Sequence, residues 1–375
     1  MSGEWIEFEV LPAGYGDALL LRYGTSTDEF TVLIDAGPPE NVPYAALSSR
    51  LGRLVQPIDL FVVTHVDIDH VGGANHLLDD PSRAGMVEAV WFNGYRHLEA
   101  AADWLGGIDG ELLTSAIRRL GVPWNAGFAQ PLDIEAGVGG PILVPDIGPL
   151  PRVELPGGAI AILLSPSPSK LAKLEPKWAK VVRAAGLDPG KGAHREPGRK
   201  LVADDWLGAT SAPEVTAAGL AAEKTREDTT VANGSSIAFI VEWGPYRLLL
   251  GGDAHPGLLT ANLRRLASED GTDRVRCDAV KLPHHGSRSN VTIDLVGAIE
   301  CTDWIVSSNG ARFDHPDDEA IARIIAARSG ATVYGNYASA RMTAVADRLP
   351  PSSNDYQLRV PGSADDTCVF RRGPT

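Results

Sequence analysis

The segment DLFVVTHVDIDHVGG (59–73) constrains this chain more than any other. Its apolar run, with two valines, reads as a buried strand, and polar groups follow only at the carboxyl end. His65, Asp67, Asp69 and His70 then fall within six positions. On an extended segment, alternation sets residues 65, 67 and 69 on one side. A turn into a helix brings His70 toward the same point. Taken singly, Asp67 or Asp69 could cap the following helix, and His65 could be a hydrogen-bonded surface group. Taken together, with Gly72 and Gly73 behind them, they read as metal ligands on a strand end.

Apolar runs closed by ligating or polar side chains recur downstream. Asp253 ends RLLLGGDAHP, where it would bridge two cations; its plain alternative is to cap a helix near Pro256. KLPHHGS places His284 and His285 at another strand end. Adjacent side chains diverge on a regular strand, so one imidazole is expected to be a ligand and the other to face substrate or a supporting partner. Lys281, His284, His285, Ser287 and Arg288 also make a local cationic patch. In SSNGARFDHPDDE, the hydroxyls and amide of Ser307, Ser308 and Asn309, with Arg312, His315 and a helix start, suit a phosphoryl oxygen. Asp17 (GYGDALLL) and Asp35 (VLIDAG) interrupt apolar strands, and a buried carboxylate needs a partner. Asp35 is expected to orient a ligand, and Asp17 to lie near metal or substrate. His76, His97 and His194 read as structural or solvated, and His255 as a reserve candidate.

Organisation along the chain supports a layered α/β protein. WIEFEV, DALLLRYG, FTVLIDAG and DLFVV read as strands, YAALSSRLGRL and ELLTSAIRRLG as helices. VEAVWFNGY, PILVPD, RVEL and AIAILLSP add strand candidates. Residues 167–230 change character toward Lys, Glu, Pro, Ala and Thr, with EPKWAKVVRAAG as a helix. The pattern then resumes with the hairpin SSIAFIVEW/YRLLLGGDA, a helix at 258–268, the strand CDAVKLPHHG, a helix at 290–300, the strand DWIVSSNG, the helix PDDEAIARIIAARSG and the strand ATVYGN. The two halves look alike in plan.

Composition narrows the setting. The chain has 375 residues, 44% hydrophobic and 22% charged, with a formal charge of −14. That charge argues against passive whole-surface binding to nucleic acid or anionic lipid, but leaves room for a local cationic groove. No run approaches the roughly 20 apolar residues of a membrane span, and MSGEWIEFEV, without a basic stretch followed by an apolar one, does not read as a signal peptide. Three cysteines without a CxxC pair fit a reducing compartment and no thiolate zinc site. A cytoplasmic protein without membrane association is expected.

The ordered motifs GYGDA, LIDAG, THVDIDHVGG, NGSSIAF, GGDA, LPHHGS and SSNGARFDHP resemble the metallo-β-lactamase fold superfamily. Within it they are most similar to the ComEC-type hydrolase domain of DNA-uptake proteins and its stand-alone relatives. The matches cover about 10–75 and 230–335. The resemblance implies a four-layer αββα sandwich with insertions. Residues 1–166 and 231–375 would form the catalytic domain, and 167–230 an insertion or lid that could dock a partner protein. Carried over, the metal ligands are His65, Asp67, Asp69, His70, Asp253 and His284 or His285. Asp67 stands where the superfamily usually has a second His, and no His follows AILLSP. The expected centre is therefore richer in oxygen and poorer in imidazole than a β-lactamase's, which tilts the preference from zinc toward manganese or magnesium. Two divalent ions, Zn or Mn, are expected, one of them weakly held.

The function expected is hydrolysis of a phosphodiester, above all in DNA. Asp253 would bridge the ions, Asp69 orient the nucleophile, and Lys281, Arg288, Arg312, His315 and residues 307–309 neutralise the phosphate. His285 would face the substrate if His284 is the ligand. One alternative is a hydrolase of small esters, lactones or lactams with an apolar pocket of Trp91, Phe92, Tyr95 and Trp124. A second is a degenerate metal-binding interaction module.

Overall fold

In the computed structural model, which describes residues 3–98, 107–128, 138–193, 216–362 and 367–374, the first apolar runs build one mixed sheet. Strands β1 (Trp5–Val10), β2 (Leu19–Gly24) and β3 (Glu29–Ile34) form an antiparallel meander, which β4 (Leu60–Val62) and β5 (Val90–Trp91) extend in parallel. The second sheet repeats the plan. Strands β6 (Arg152–Glu154), β7 (Ile160–Ser165), β8 (Ala238–Trp243) and β9 (Tyr246–Leu250) are antiparallel. A short parallel pair, β10 (Val275–Arg276) and β12 (Ile299–Glu300), stands apart. Strands β11 (Ala279–Lys281), β13 (Asp303–Val306), β14 (Ala331–Gly335) and β15 (Tyr356–Arg359) continue the second sheet in parallel. The last strand, β16 (Cys368–Arg372), crosses back to pair antiparallel with β1.

The two-residue period of β2 shows how the layers arise. Leu19, Leu21 and Tyr23 join the core between the sheets, whereas Leu20 joins a second core beneath helices. Aromatic rings close the gap between sheets: Tyr23 meets Trp243 at 5.2 Å, Trp91 meets Phe239 at 6.1 Å, and Phe370 meets Tyr334 at 6.4 Å. Helices Asn41–Leu51, Ile68–Asp79, Gly107–Leu120 and Pro168–Ala184 cover the outer face of the first sheet through Leu47, Val71, Leu77, Leu113 and Trp178. Helices Pro256–Glu269 and Asp318–Ala327 cover the second through Leu259, Leu263, Ile321 and Ile324. The result is an α/β/β/α sandwich.

The segment expected as an insertion, 167–230, takes a specific form where it is described. Leu171, Leu174, Trp178 and Val182 of its first helix pack into the helical layer of the first sheet. Glu111 fixes the exit by accepting from Trp178 Nε1 (3.0 Å), Gly190 N (2.7 Å) and Gly192 N (2.7 Å). Helix Ala217–Ala222 packs on Asp318–Ala327. These parts are layers of the fold, and residues 194–215, with His194, lie outside the described residues.

Some elements differ from the sequence expectation. PILVPD forms no strand, because Pro141 and Pro145 remove ladder donors. Its backbone is held instead by Asn93, which accepts from Ile142 N (2.9 Å) and donates to Ile142 O (2.8 Å). The helix at 290–300 shrinks to Ile293–Gly297, and β15, β16 and the helix Ala340–Arg348 were not anticipated. No described helix is long and apolar enough to cross a membrane.

Candidate metal centre

Parallel strands carry their carboxyl ends to one edge of a sheet, the usual place for ligands in α/β folds. Asp35 follows β3, His65 follows β4, Asp253 follows β9, and His284 and His285 follow β11, so one rim collects them. Asp253 is the hub. Its Oδ2 lies 3.4 Å from His70 Nε2, 3.7 Å from His284 Nε2, and 3.9 Å from both His65 Nε2 and His285 Nε2. Asp67 Oδ2 is 3.5 Å from His65 Nε2, and Asp69 Oδ2 is 3.5 Å from His285 Nε2. Asp67 makes no side-chain cap on the helix Ile68–Asp79, so its carboxylate is left for the rim.

Each imidazole is aimed by its other nitrogen. Asp35 accepts from His70 Nδ1 (2.7 Å), Thr64 N (2.8 Å) and Thr64 Oγ1 (2.7 Å). Thr64 Oγ1 in turn accepts from His65 Nδ1 at 3.0 Å. His285 Nδ1 donates to the Ser307 carbonyl at 2.9 Å, and His284 Nδ1 donates to Asn290 Oδ1 at 2.9 Å. With Nδ1 as donor throughout, the neutral rings present Nε2 lone pairs toward Asp253. This is the carboxylate–histidine support that orients metal ligands.

The donors fit a divalent metal. His65 Nε2, His70 Nε2, His285 Nε2 and Asp253 Oδ1 are buried without a hydrogen-bond partner, a costly state for polar atoms. Their gaps to Asp253 exceed the 2.7 Å contact of His70 with Asp35. They are close to the roughly 3–3.5 Å between two donors that share one ion. Two overlapping groups, His65–His70–Asp253 and Asp69–His70–His285, have their donor atoms within 4.8 Å of one another. The mixture of imidazole and carboxylate suits zinc, manganese or iron better than magnesium.

The histidine pair corrects the expectation that only one imidazole could point inward. His284 (φ 47°), His285 (φ 55°) and Gly286 (φ 86°) are all left-handed. This conformation is uncommon for residues with a Cβ, and it turns both rings to the same carboxylate. His285 is fully buried rather than facing substrate. Gly16 is required for the same packing, because a Cβ there would collide with the Asp69 carbonyl.

Electrostatics link this centre to protons. Burial disfavours a charged His284, yet Asp253 and Asp228 outweigh it and push the ring up to about 9. Burial likewise opposes a charged His285, but Asp17 and Asp253 push it up to about 10. Their contribution to stability in the metal-free protein is complete below the ordinary histidine value and is lost as pH rises through about 9 and about 10. Metal must displace these protons, so affinity for Zn²⁺ or Mn²⁺ should rise with pH. Calorimetric titration at pH 7 in buffers of different ionisation enthalpy should show release of more than one proton per protein; no release would contradict these assignments.

Several residues expected to meet substrate are committed elsewhere. Lys281 is buried, its Nζ 2.7 Å from Asp17 Oδ2 and 3.0 Å from Leu282 O, so it neutralises Asp17 instead of a phosphate. Arg288 pairs with Glu319 at 2.8 Å. Ser287 closes the histidine turn, its N–H donating to His284 O at 2.8 Å. Ser307 Oγ donates to Gly16 O (3.0 Å), Ser308 N donates to Asn336 Oδ1 (3.0 Å), and Asn309 N donates to Gly14 O (2.9 Å). These three hold loops together. Arg312 has no such partner among the described residues, and the His315 ring lies 5.5 Å from that of His284 with its Nδ1 3.5 Å from Asp317 Oδ2. Trp91, Phe92 and Trp124 are buried in the cores, and Tyr95 bonds Glu175 at 2.9 Å, so no apolar pocket forms from them.

The other described histidines turn elsewhere. His255 Nε2 donates to Thr230 O (2.7 Å), and its Nδ1 accepts from Lys170 Nζ (2.6 Å). His97 Nδ1 accepts from Gly94 N at 3.1 Å, and the His76 ring lies 5.3 Å from that of Tyr44, tilted by 42°.

Sequence reasoning missed Asp228. Its carboxylate accepts from Asn233 Nδ2 (2.7 Å), Asn290 Nδ2 (3.1 Å) and Thr230 N (2.8 Å), and lies 3.5 Å from His284 Nδ1. The only signal was an acidic residue in an unpatterned stretch. Asp228→Ala should weaken metal affinity by roughly 10–100-fold, the usual cost of losing such support, measured by competition with a chelating dye. Unchanged affinity would remove Asp228 from the centre.

Residues 11–148 match the Metallo-beta-lactamase superfamily. No curated protein matches the chain. Among solved structures, the metallo-beta-lactamase fold protein YhfI from Bacillus subtilis is similar at 9% identity and a TM-score of 0.38, over 98% of this chain and 100% of that one. CmlA, a diiron beta-hydroxylase from Streptomyces venezuelae, is similar at 13% identity and a TM-score of 0.38. That likeness covers 98% of this chain and 54% of CmlA, so this chain spans about half of CmlA's length.

Proposed function

We propose that this chain, whose residues 11–148 match the Metallo-beta-lactamase superfamily, is a metal-dependent hydrolase acting on a phosphodiester, with DNA the first candidate. The observation that carries the reading is the convergence of four Nε2 atoms on Asp253 Oδ2. His65, Asp67, Asp69, His70, Asp253, His284 and His285 would hold two ions, Zn²⁺ or Mn²⁺. When bound, such ions lower the pKa of water and polarise the bond under attack.

The protein's own groups supply the rest. Asp69 is anchored by Asp17 N, which donates to its carbonyl at 3.3 Å, and its carboxylate would orient the attacking water. Burial holds His315 below the ordinary histidine value, although Asp317 opposes this. A neutral imidazole there would donate an N–H to the leaving oxygen. Arg312 would meet negative charge on the substrate. The lactam and ester alternative loses the aromatic pocket it needs, since Trp91, Phe92 and Trp124 are core residues.

The test is an assay of single-stranded DNA, plasmid and nitrocefin with added Mn²⁺ or Zn²⁺. Cleavage of DNA that stops with EDTA is expected. Hydrolysis of nitrocefin alone would overturn the phosphodiester reading.

A further inference from the structure

We propose that Tyr15, Arg312 and Phe313 form a preorganised subsite beside the metal centre for one nucleotide unit, its phosphate on Arg312 and its base on Phe313. The proposal rests on the phosphodiester reading and names the part of the substrate recognised away from the scissile bond.

Arg312 is held by aromatic faces. Its guanidinium carbon lies 4.7 Å from the centroid of Tyr15 and 5.1 Å from that of Phe313, while the two rings meet edge to face at 6.0 Å. Stacking fixes the plane of a guanidinium but leaves its in-plane N–H donors available for a phosphate. Arg312 makes no hydrogen bond or ion pair among the described residues, unlike Lys281 and Arg288. Phe313 is 46% exposed, so part of its ring is accessible to a ligand.

The support is rigid and tied to the metal ligands. Tyr15 sits on a loop stitched to the Arg312 side by Asn309 N to Gly14 O (2.9 Å), Gly14 N to Tyr337 Oη (2.7 Å) and Ser307 Oγ to Gly16 O (3.0 Å). Tyr15 Oη donates to Glu40 at 2.9 Å, which sets the ring. From Phe313, ring-to-ring steps of 6.2 Å to His315 and 5.5 Å to His284 reach the ligands. An aromatic face with a neighbouring fixed cation is how proteins hold unpaired bases and their backbone. A duplex does not present its base faces in this way, so the unit belongs to a single strand.

The experiment combines binding and turnover. Anisotropy of a fluorescent single-stranded oligothymidylate is measured in EDTA for wild type, Arg312→Gln and Phe313→Ala. Hydrolysis of a dinucleoside monophosphate and a trinucleoside diphosphate is then followed with Mn²⁺. At least about tenfold weaker oligonucleotide binding is expected in each variant, equivalent to about 1.4 kcal/mol. Arg312→Gln should also lose the wild-type preference for the longer substrate. Undiminished binding, or a length preference retained in Arg312→Gln, would overturn the subsite even if the enzyme is a phosphodiesterase. Weakened binding with neither substrate cleaved would support the subsite and overturn the hydrolytic reading.

Discussion

Asp253→Ala should remove at least one metal ion from the protein and lower hydrolysis by more than the roughly 10–100-fold typical of residues that only orient ligands. Four imidazoles face this one carboxylate at 3.4–3.9 Å, and among the described residues no other group is shared by all of them. Without it the rings would lose both the common anion and the contact between the two halves of the centre. The metal-free variant should also hold fewer protons, because Asp253 is the largest attraction raising His70 and His284. Metal content by plasma mass spectrometry, with proton release on adding Zn²⁺, checks both statements. Wild-type metal content in the variant would show that the convergence is not a binding site.

Lys281→Met is the second large expectation, and it concerns folding. The Lys281 and Asp17 side chains are 0% and 1% exposed and lie 2.7 Å apart. Removing one partner of such a pair leaves a buried charge uncompensated, at a cost of about 3–5 kcal/mol. Burial opposes a charged Asp17, but Lys281 and His285 hold its carboxyl well below the ordinary range. The stability this carboxylate contributes is therefore present above its ordinary value and is lost in acid. In urea, metal-free Lys281→Met should show a midpoint far below wild type, and adding Asp17→Asn should recover much of the difference. A substrate-binding lysine would behave differently, with a raised KM and an unchanged midpoint.

That lysine shows where the sequence stops being legible. KLPHHGS looks cationic on paper, but the partner of Lys281 lies in the loop before β2, and only the packing of one sheet on the other brings them together. Arg288 is absorbed in the same way by Glu319. By contrast, the strand-end pattern brought out His65, Asp67, Asp69, His70 and Asp253 because it is local: an apolar run fixes direction, and parallel pairing fixes the edge. The inward turn of both His284 and His285 was hidden, since it depends on left-handed backbone that residue type does not announce. Asp228 was hidden by the lack of periodicity around it. β16 is a short strand whose inward residues, Cys368 and Phe370, make sense only beside β1.

The most direct measurement is an anomalous difference map from crystals loaded with Mn²⁺ or Zn²⁺. The account predicts two peaks flanking Asp253, each about 2.0–2.5 Å from its carboxylate or from the surrounding Nε2 atoms. Fully loaded crystals with no peak at Asp253, or with the ion held by other residues, would contradict it.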